Sequence, residues 1–254
     1  MTKPLSDAEI TRYARQLILP DIGDDGQDAL KDAKLLIIGA GGLGVPALSY
    51  AAAAGFGAIT MMDDDVIEPT NLNRQILYHE ADCGVGKAKI AAEKAALQNP
   101  HITINAVEKR YDNSCHNLVA DFDVIIDASD NAQTRLLVNQ HCLAAHKPLI
   151  FVSAIRFEGQ LSVFAPHLSD DDTSPCYHCL FPHHPDVAQA PNCATIGIMG
   201  AVTGIMGAMA ALEAIKLVTQ SGQPAINKLL LFDGLTLQSD FIVTKKDKNC
   251  HICG

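Results

Sequence analysis

The sequence predicts an α/β protein whose doubly wound, mostly parallel, Rossmann-like sheet continues into an antiparallel C-terminal half. In residues 1–153, short apolar runs alternate with alanine-rich helical stretches, which is the pattern of β-α-β units. A glycine-rich turn directly follows the first apolar run. After residue 153 the apolar runs flank turn signals instead of helices, as antiparallel pairs do. We therefore expect one domain over 1–254, with a parallel half at 1–153 and an antiparallel half at 154–254.

Five short buried strands and three helices are expected in the parallel half. The strands are Lys34–Gly39, Ala58–Asp63, His101–Val107, Phe122–Asp127 and Pro148–Ser153, and the helices are Gly42–Ala54, Lys87–Gln98 and Ala132–His146. Ser6 and Glu9 predict a further helix at the N-terminus, because their spacing lets each side chain bond a free backbone N–H of the first turn.

A β-hairpin is expected where the antiparallel half begins. Its strands would be Ile155–Phe157 and Gln160–Ala165, with the turn at Glu158 and Gly159. Two later apolar runs, Lys228–Asp233 and Leu235–Val243, predict further strands.

An uncharged stretch from Ala194 to Leu212 approaches the length of a membrane span. Glu213 and Lys216 follow it at once, and six of its positions are glycine or threonine, which lowers its hydrophobicity. We interpret it as a buried helix or as the core helix of an oligomer interface.

The composition and the N-terminal sequence exclude some classes of function. The formal net charge of -10 argues against a surface that binds nucleic acid or anionic lipid. The N-terminus lacks an apolar segment of signal-peptide length, so we expect a protein of the reducing cytoplasm that is not held in a membrane. Eight cysteines then need an explanation other than disulfides.

The glycine turn from Gly39 to Gly44 matches the G-x-G-x-x-G pattern and opens a helix. Glycines let the backbone approach a phosphate, which the free N–H groups of a helix N-terminus attract. Asp63 ends the next strand, where its carboxylate can accept hydrogen bonds from ribose hydroxyls. These features predict a nucleotide site in the parallel half, and the glycines alone would favour a nicotinamide or flavin dehydrogenase.

Charged residues follow successive strands of the same predicted sheet. Arg74 and Lys87 lie between the second strand and the next helix, and Asp130 follows the fourth strand. The carboxyl ends of parallel strands share one sheet edge, where ligands bind. Two cations and a candidate magnesium ligand around a triphosphate suit transfer at phosphorus, whereas hydride transfer needs no such set. The alternative is that both cations are solvated surface charges.

Two C-x-x-C units, at Cys176 and Cys179 and at Cys250 and Cys253, are separated by 70 residues. Two such pairs complete a tetrahedral four-cysteine zinc site, which has no open position and would be structural. Redox pairs are the alternative.

Four further cysteines lie outside these units. Cys115 and Cys142 fall in or beside helical stretches and are expected to be buried, while Cys83 has no partner that the sequence identifies. Cys193 precedes the glycine-rich helix, where a thiol can be a nucleophile, or it is an unreactive loop residue.

Motifs along essentially the whole chain together resemble those of the ThiF/MoeB/HesA group of ubiquitin-activating-type adenylyltransferases. They are Arg12-Tyr13-x-Arg15-Gln16, the Gly39–Gly44 loop, Asp63-x-Asp65, Asn71-Leu72-x-Arg74-Gln75, Lys87, Asp130-Asn131-x-x-x-Arg135, both C-x-x-C units and Leu212-Glu213-Ala214-Ile215-Lys216. Several features look closer to ThiF than to MoeB, among them Asp63-Asp64-Asp65 and Asn192-Cys193.

The resemblance implies ATP-dependent adenylylation of the C-terminal Gly-Gly carboxylate of a small ubiquitin-like sulfur-carrier protein, ThiS-like or MoaD-like, for thiamine or molybdopterin biosynthesis. It implies a homodimer with Mg²⁺ and Zn²⁺, a carrier-docking antiparallel half, and an external sulfur donor. Arg15 would reach the partner's phosphates, Arg74 and Lys87 those of their own subunit, Asp130 would bind magnesium and Asp63 the ribose. Cys193 matches a cysteine that in ThiF can join the carrier through an acyl-disulfide. The candidate nucleotide-binding residues are Gly39, Gly41, Gly42, Gly44, Asp63, Asp65, Thr70, Asn71, Leu72, Asn73, Arg74, Lys87, Asp130 and Asn131.

Two rival functions are an NAD-dependent oxidoreductase and a catalytically silent protein that only binds a carrier. Pyrophosphate exchange, NAD-linked turnover and plain carrier binding distinguish the three.

Overall fold

A computed structural model describes residues 4–168, 173–182 and 196–254. Eight strands form a single sheet in the order β3-β2-β1-β4-β5-β6-β7-β8. The strands are β1 Lys34–Ile38, β2 Ala58–Met62, β3 Thr103–Val107, β4 Val124–Asp127, β5 Leu149–Ile155, β6 Glu158–Phe164, β7 Lys228–Asp233 and β8 Gln238–Val243. The first five are parallel and the last three are antiparallel additions. The predicted fold class is confirmed.

The described helices cover both faces of the parallel strands. They are α1 Asp7–Leu17, α2 Gly23–Asp32, α3 Gly44–Ala54, α4 Lys87–Gln98, α5 Ala132–Ala144, α6 Tyr177–Leu180 and α7 Gly200–Thr219. The predicted capping box is present, since Ser6 and Glu9 exchange hydrogen bonds at the start of α1. Helix α2 was not predicted from the sequence, because its many polar residues hide its apolar stripe.

The hydrophobic core consists of two clusters, one on each side of the sheet. Successive residues of β1 alternate between them: Leu35 and Ile37 face α3 and α7, whereas Leu36 and Ile38 face the side of α5. Because helices cover both faces, every residue of β1 after Lys34 is buried.

The hairpin turn differs from the prediction. The structure extends β5 to Ile155 and starts β6 at Glu158, so the turn consists of Arg156 and Phe157. Gly159 lies inside β6, where a Cβ atom would collide with the Met206 side chain of α7. This glycine therefore serves close packing of helix on sheet, and the sequence pattern mistook it for a turn residue.

Two other strands differ from their predicted form. β3 was expected to be buried, but it is the edge of the sheet and most of its residues are exposed or half-buried. β8 begins at Gln238 and not at Leu235, because residues 234–237 form the loop between β7 and β8.

Among the described residues, α7 is the one helix with the length and composition of a membrane span, and 44% of its most apolar window is buried inside the protein. It packs on α3, where a Cβ at Gly207 would collide with the Leu43 carbonyl oxygen. The prediction of a buried helix therefore holds for this face, while Leu212 on the other face is 54% exposed. Residues 194 and 195 of the predicted stretch lie outside the described residues.

Candidate functional site

The glycine loop joins β1 to α3 at the carboxyl edge of the sheet. Gly39 has a φ of +98°, and a Cβ there would be 2.7 Å from the Ala128 carbonyl oxygen. A Cβ at Gly44 would collide with the Gly39 carbonyl. A Cβ atom at Gly41 would contact only the Gln75 side-chain amide, at 3.8 Å. The backbone of Gly41 is therefore open on the cavity side. The loop can therefore admit a ligand against its backbone at the N-terminus of α3.

Asp63 follows β2 and holds this loop. Its carboxylate accepts hydrogen bonds from the backbone N–H of Ala40 at 2.6 Å and of Asp65 at 2.8 Å. Burial raises the pKa of Asp63 and these two bonds oppose the rise. Asp63 thus stabilises the glycine loop, in addition to lining the cavity where a ribose hydroxyl could reach it.

The two predicted cations, Arg74 and Lys87, line the same cavity but are held by different contacts. Lys87, at the start of α4, is buried, and its Nζ lies 2.8 Å from Asp65, whose side chain is 69% exposed. Arg74 is held by its own loop, because its Nη1 donates to the Thr70 carbonyl at 2.9 Å and to Asn73 Oδ1 at 3.2 Å. Lys87 therefore has an exposed counter-ion that an entering anion can replace.

The turn after β4 brings Asp130 to the cavity. Asp130 is exposed, and the Asn131 side chain caps α5 by accepting from the Thr134 N–H at 2.9 Å. Arg135, one turn into α5, donates to the Ser129 carbonyl at 2.8 Å and lies 5.1 Å from the centre of the Phe151 ring. Arg135 thus stabilises the turn that positions Asp130, through its hydrogen bond to the Ser129 carbonyl.

The cavity bounded by these loops has a volume of about 610 Å³. Its lining includes ten of the predicted residues: Gly39, Gly41, Gly42, Asp63, Asp65, Asn71, Arg74, Lys87, Asp130 and Asn131. The other four predicted nucleotide-binding residues do not line it. Thr70 and Asn73 hold Arg74, Leu72 packs on the core and Gly44 shapes the loop. The binding of a nucleotide by the lining residues stays a prediction.

The cavity also has lining residues that the sequence analysis missed. Lys109 and Arg110 follow β3 at the same edge, a position that the rule used for Asp63 would have identified. Gln75 is buried, and its Oε1 atom has no hydrogen-bond partner among the described residues. Unpaired buried polar atoms in a cavity lining indicate a polar ligand.

The four predicted metal-ligating cysteines converge. The sulfur atoms of Cys176 and Cys179 are 3.9 Å apart, those of Cys176 and Cys250 3.8 Å, and those of Cys179 and Cys253 3.5 Å. A tetrahedron of sulfurs at the usual Zn–S distance of about 2.3 Å has edges of about 3.8 Å. All four sulfurs lie within 4.8 Å of one another, so the cluster is compatible with zinc.

Hydrogen bonds to Cys250 affect the pKa of its thiol. Burial acts to raise the pKa of Cys250, but hydrogen bonds from the Ile252 and Cys253 backbone and from His178 lower it to about 6. The His178 Nδ1 atom is 3.4 Å from the Cys250 sulfur. These hydrogen bonds favour the thiolate form of Cys250, which is the form that binds a metal.

The other cysteines are placed as follows. Cys115 and Cys142 are buried in the core beside α5, as predicted, and Cys83 is half-buried against the core. Cys193 lies outside the described residues.

Arg15 does not line the cavity of its own chain among the described residues. It is exposed in the last turn of α1. This location is consistent with a role outside its own subunit's cavity, which stays a prediction.

The profile of the ThiF family matches residues 13–252. SAMP-activating enzyme E1 of Haloferax volcanii is 38% identical over 255 residues, covering 100% of this chain and 92% of that protein. Sulfur carrier protein adenylyltransferase of Thermus thermophilus is 38% identical over 247 residues, covering 97% and 91%. Adenylyltransferase and sulfurtransferase MOCS3 of Drosophila yakuba is 41% identical over 251 residues, and this chain spans 54% of its length.

Solved structures share the fold. The crystal structure of E. coli MccB with ATP superimposes with a TM-score of 0.83 at 22% identity, covering 96% of this chain and 74% of that one. The match over nearly the whole sequence, together with relatives of similar length, places this protein by descent: the chain belongs to the ThiF family.

Proposed function

We propose that this protein uses ATP to adenylylate the C-terminal Gly-Gly carboxylate of a small ubiquitin-like sulfur-carrier protein. The observation that supports it most is the convergence of Arg74, Lys87 and Asp130 on one cavity beneath the glycine loop. Cations opposite an open loop backbone suit a polyphosphate, and the carboxylate suits its metal ion. The names of the relatives from Haloferax, Thermus and Drosophila agree with this reaction class.

The cavity fits a nucleotide in size and chemistry. Its volume of about 610 Å³ lies in the range of small-molecule sites. The open side of Gly41 can accept the triphosphate, while Gln75 Oε1 offers an unpaired polar atom to the ligand. We assign Asp63 to the ribose and Arg74 and Lys87 to the phosphates.

In the proposed reaction, a carboxylate oxygen of the carrier forms a bond to the α-phosphorus of ATP. The bond between the α-phosphorus and the bridging oxygen breaks, and pyrophosphate leaves with that electron pair. No general base is required, because the carboxylate is already ionised at neutral pH. Arg74 and Lys87 neutralise charge on the phosphates, and Lys87 can exchange its exposed Asp65 partner for a phosphate oxygen.

Asp130 is the residue that we propose as the magnesium ligand. Its carboxylate is exposed at the cavity and next to the phosphate-binding loops. A bound Mg²⁺ supplies charge neutralisation and fixes the geometry of the triphosphate. Asn131 supports this turn by capping α5.

We propose that the four-cysteine cluster binds a structural Zn²⁺. The spacing of the sulfurs fits the tetrahedral site, and all four positions would be taken by protein ligands. The metal would attach the C-terminal segment at Cys250 and Cys253 to the α6 segment at Cys176 and Cys179.

The carrier is proposed to dock on the antiparallel half, at the end of the sheet formed by β8. All residues of β8 are exposed, with Phe241 at 59% and Val243 at 70%. Leu235 and Leu237 in the preceding loop are more than 70% exposed. Such a surface suits a globular partner whose flexible tail then reaches the cavity past β5 and β6.

A homodimer would explain the position of Arg15. Ile18, the residue directly after α1, is 70% exposed, which suits an apolar interface. If Arg15 completes the partner's site, mixing inactive Arg15→Ala and Asp130→Ala proteins should restore activity by forming some intact sites. If subunits exchange but activity does not return, Arg15 does not belong to the partner's site.

The proposed setting is the cytoplasm, with an external sulfur donor and either the thiamine or the molybdopterin carrier as substrate. The thiamine-type assignment of Cys193 as a thiol that joins the carrier is part of this proposal. The dehydrogenase alternative gains no support from the relatives.

The decisive experiment is ATP-pyrophosphate exchange with ThiS-like and MoaD-like carriers. We expect exchange that requires a carrier ending in Gly-Gly, with the same carrier lacking its last glycine as the control. NAD-linked turnover without exchange, or carrier binding without exchange, would refute the proposal in favour of one of the two rivals.

A further inference from the structure

Helix α5 joins the nucleotide cavity to the cysteine cluster. Its first turn begins beside Asp130, and Arg135 follows on the side that faces the sheet. Asn139 lies four residues after Arg135, so both side chains point to the same side of the helix. The helix therefore has one contact with each site.

Asn139 contacts the first C-x-x-C unit directly. Its side chain is 1% exposed, and its Oδ1 accepts a hydrogen bond from the Tyr177 backbone N–H at 2.9 Å. Its Nδ2 is buried and has no partner with good hydrogen-bond geometry among the described residues. Tyr177 directly follows the metal-ligating Cys176 in the chain, so the Asn139 amide lies beside the first C-x-x-C unit. Asn139 thus holds the backbone at Tyr177, the residue after Cys176.

Tyr177 completes the connection from the cysteine cluster back to the cavity. Its ring packs on Phe151, with centroids 5.1 Å apart, and Phe151 also lies under the Arg135 guanidinium. The Tyr177 side chain also interacts with Arg135, since both lie against the Phe151 ring. Arg135 in turn holds the Ser129 carbonyl, one residue before Asp130.

We propose that Asn139 is a positioning residue that couples the cysteine-bound zinc to the nucleotide cavity, through Tyr177 and Arg135, so that metal binding fixes the Ser129–Asp130 turn. The proposal rests on the zinc and the adenylylation proposed above. The zinc does no chemistry in it. Its effect is geometric, because an ordered Cys176–Tyr177 segment holds Arg135, and Arg135 holds the turn.

Asn139→Asp tests the contact with the metal cluster. It keeps the acceptor for the Tyr177 N–H and places a carboxylate beside the first C-x-x-C unit, where it repels thiolates. We expect zinc to leave the folded protein roughly tenfold faster or more, as for other residues that orient metal ligands. Gln140→Asp adds the same charge at an exposed position of the same helix and should release zinc at the wild-type rate. Equal release from Asn139→Asp and wild type would overturn the proposal.

Tyr177→Phe tests the link to the cavity while keeping the ring. We expect unchanged zinc release, a rise of roughly tenfold in KM for ATP in the exchange assay, and an unchanged KM for the carrier. A merely structural defect would change both KM values. Unchanged KM for ATP in this variant would overturn the coupling even if Asn139→Asp loses zinc.

The affinity for Mg-ATP, measured by calorimetry, separates this inference from the proposed function. Stripping zinc from the wild type with a chelator should weaken Mg-ATP binding by roughly tenfold, while zinc-stripped Tyr177→Phe should show little further loss. Absence of exchange in wild type would refute the adenylylation alone. Equal Mg-ATP affinity with and without zinc would refute the coupling alone.

Discussion

The two halves of the sheet are stabilised in different ways. In the parallel half, helices cover both faces, and every residue of β4 is buried. In the antiparallel half, β8 has no buried residue, and the segment after it contributes Cys250 and Cys253 to the four-cysteine cluster. The parallel half thus relies on apolar packing and close backbone contacts, whereas the end of the antiparallel half has little apolar burial and lies near the four-cysteine cluster.

Because of this difference, we expect substitutions in the two halves to have different effects. Substitutions at the cavity of the parallel half should remove chemistry without unfolding the protein, because the strands beneath are buried independently of it. Substitutions at the cysteine cluster should remove metal and stability together. The first two predictions below test this separation, and two further ones test the local contacts that stabilise the parallel half.

The largest effect is expected for Asp130→Ala. Loss of a proposed magnesium ligand should slow carrier-dependent exchange by roughly 100- to 1000-fold. Stability should change by only about 0.5 kcal/mol, because the residue is exposed. Exchange rates and thermal unfolding measure the two quantities. Asp64→Ala, an exposed neighbour at the same edge, serves as the control with a smaller expected loss. Exchange at the wild-type rate in Asp130→Ala would exclude Asp130 as the metal ligand.

The next effect is expected for Cys250→Ser. It should abolish zinc binding and lower the Tm by roughly 10 °C, since metal loss is among the single changes with large cost. Metal analysis should give about one zinc per wild-type chain. Cys83→Ser, which changes a cysteine outside the cluster, should keep its zinc. Freshly isolated wild-type protein without zinc would contradict the proposed site.

A smaller effect is expected for Gly44→Ala in the glycine loop. The added methyl group would collide with the Gly39 carbonyl, and relief of this contact should cost about 1–3 kcal/mol. Gly204→Ala in α7 is the matched control, because a Cβ there meets nothing within 4 Å. A helical alanine in its place should be stabilising by up to about 1 kcal/mol. Equal stabilities in urea unfolding would show that the loop accommodates the methyl group.

The smallest effect is expected for Glu9→Gln at the capping box. Burial acts to raise the pKa of Glu9, but hydrogen bonds from Lys31 and Ser6 outweigh it and lower the pKa from 4.5 to about 2. The ionised form is therefore favoured in the folded state, and its stabilisation is present above pH 4.5 and lost as the pH falls towards 2.

Glu9→Gln should accordingly lower the free energy of unfolding by about 1 kcal/mol at pH 7, with the difference from wild type shrinking between pH 4.5 and 2. Asp7→Asn removes a charge from the same turn without the Lys31 contact and should cost less. A difference that does not depend on pH would contradict the role of the Glu9 charge.

The sequence by itself determined the features that depend on local chemistry. The alternation of apolar runs and helices fixed the parallel half, because each run must bury its side chains in a layer. The spacing from Gly39 to Gly44 identified the loop, since few residues tolerate a φ of +98°. The paired cysteines likewise indicated one cluster, because a tetrahedral metal needs four ligands.

Only the tertiary structure decided the features that depend on contacts between distant segments. Gly159 looked like a turn residue because nothing in its neighbourhood shows that Met206 will pack on it. Asn139 gave no signal, since its partner Tyr177 is 38 residues away and becomes a neighbour only when α5 crosses the sheet. A local sequence pattern shows which backbone conformation one segment prefers. The roles of Gly159 and Asn139 depend instead on side chains from distant segments, which become neighbours only when the layers pack.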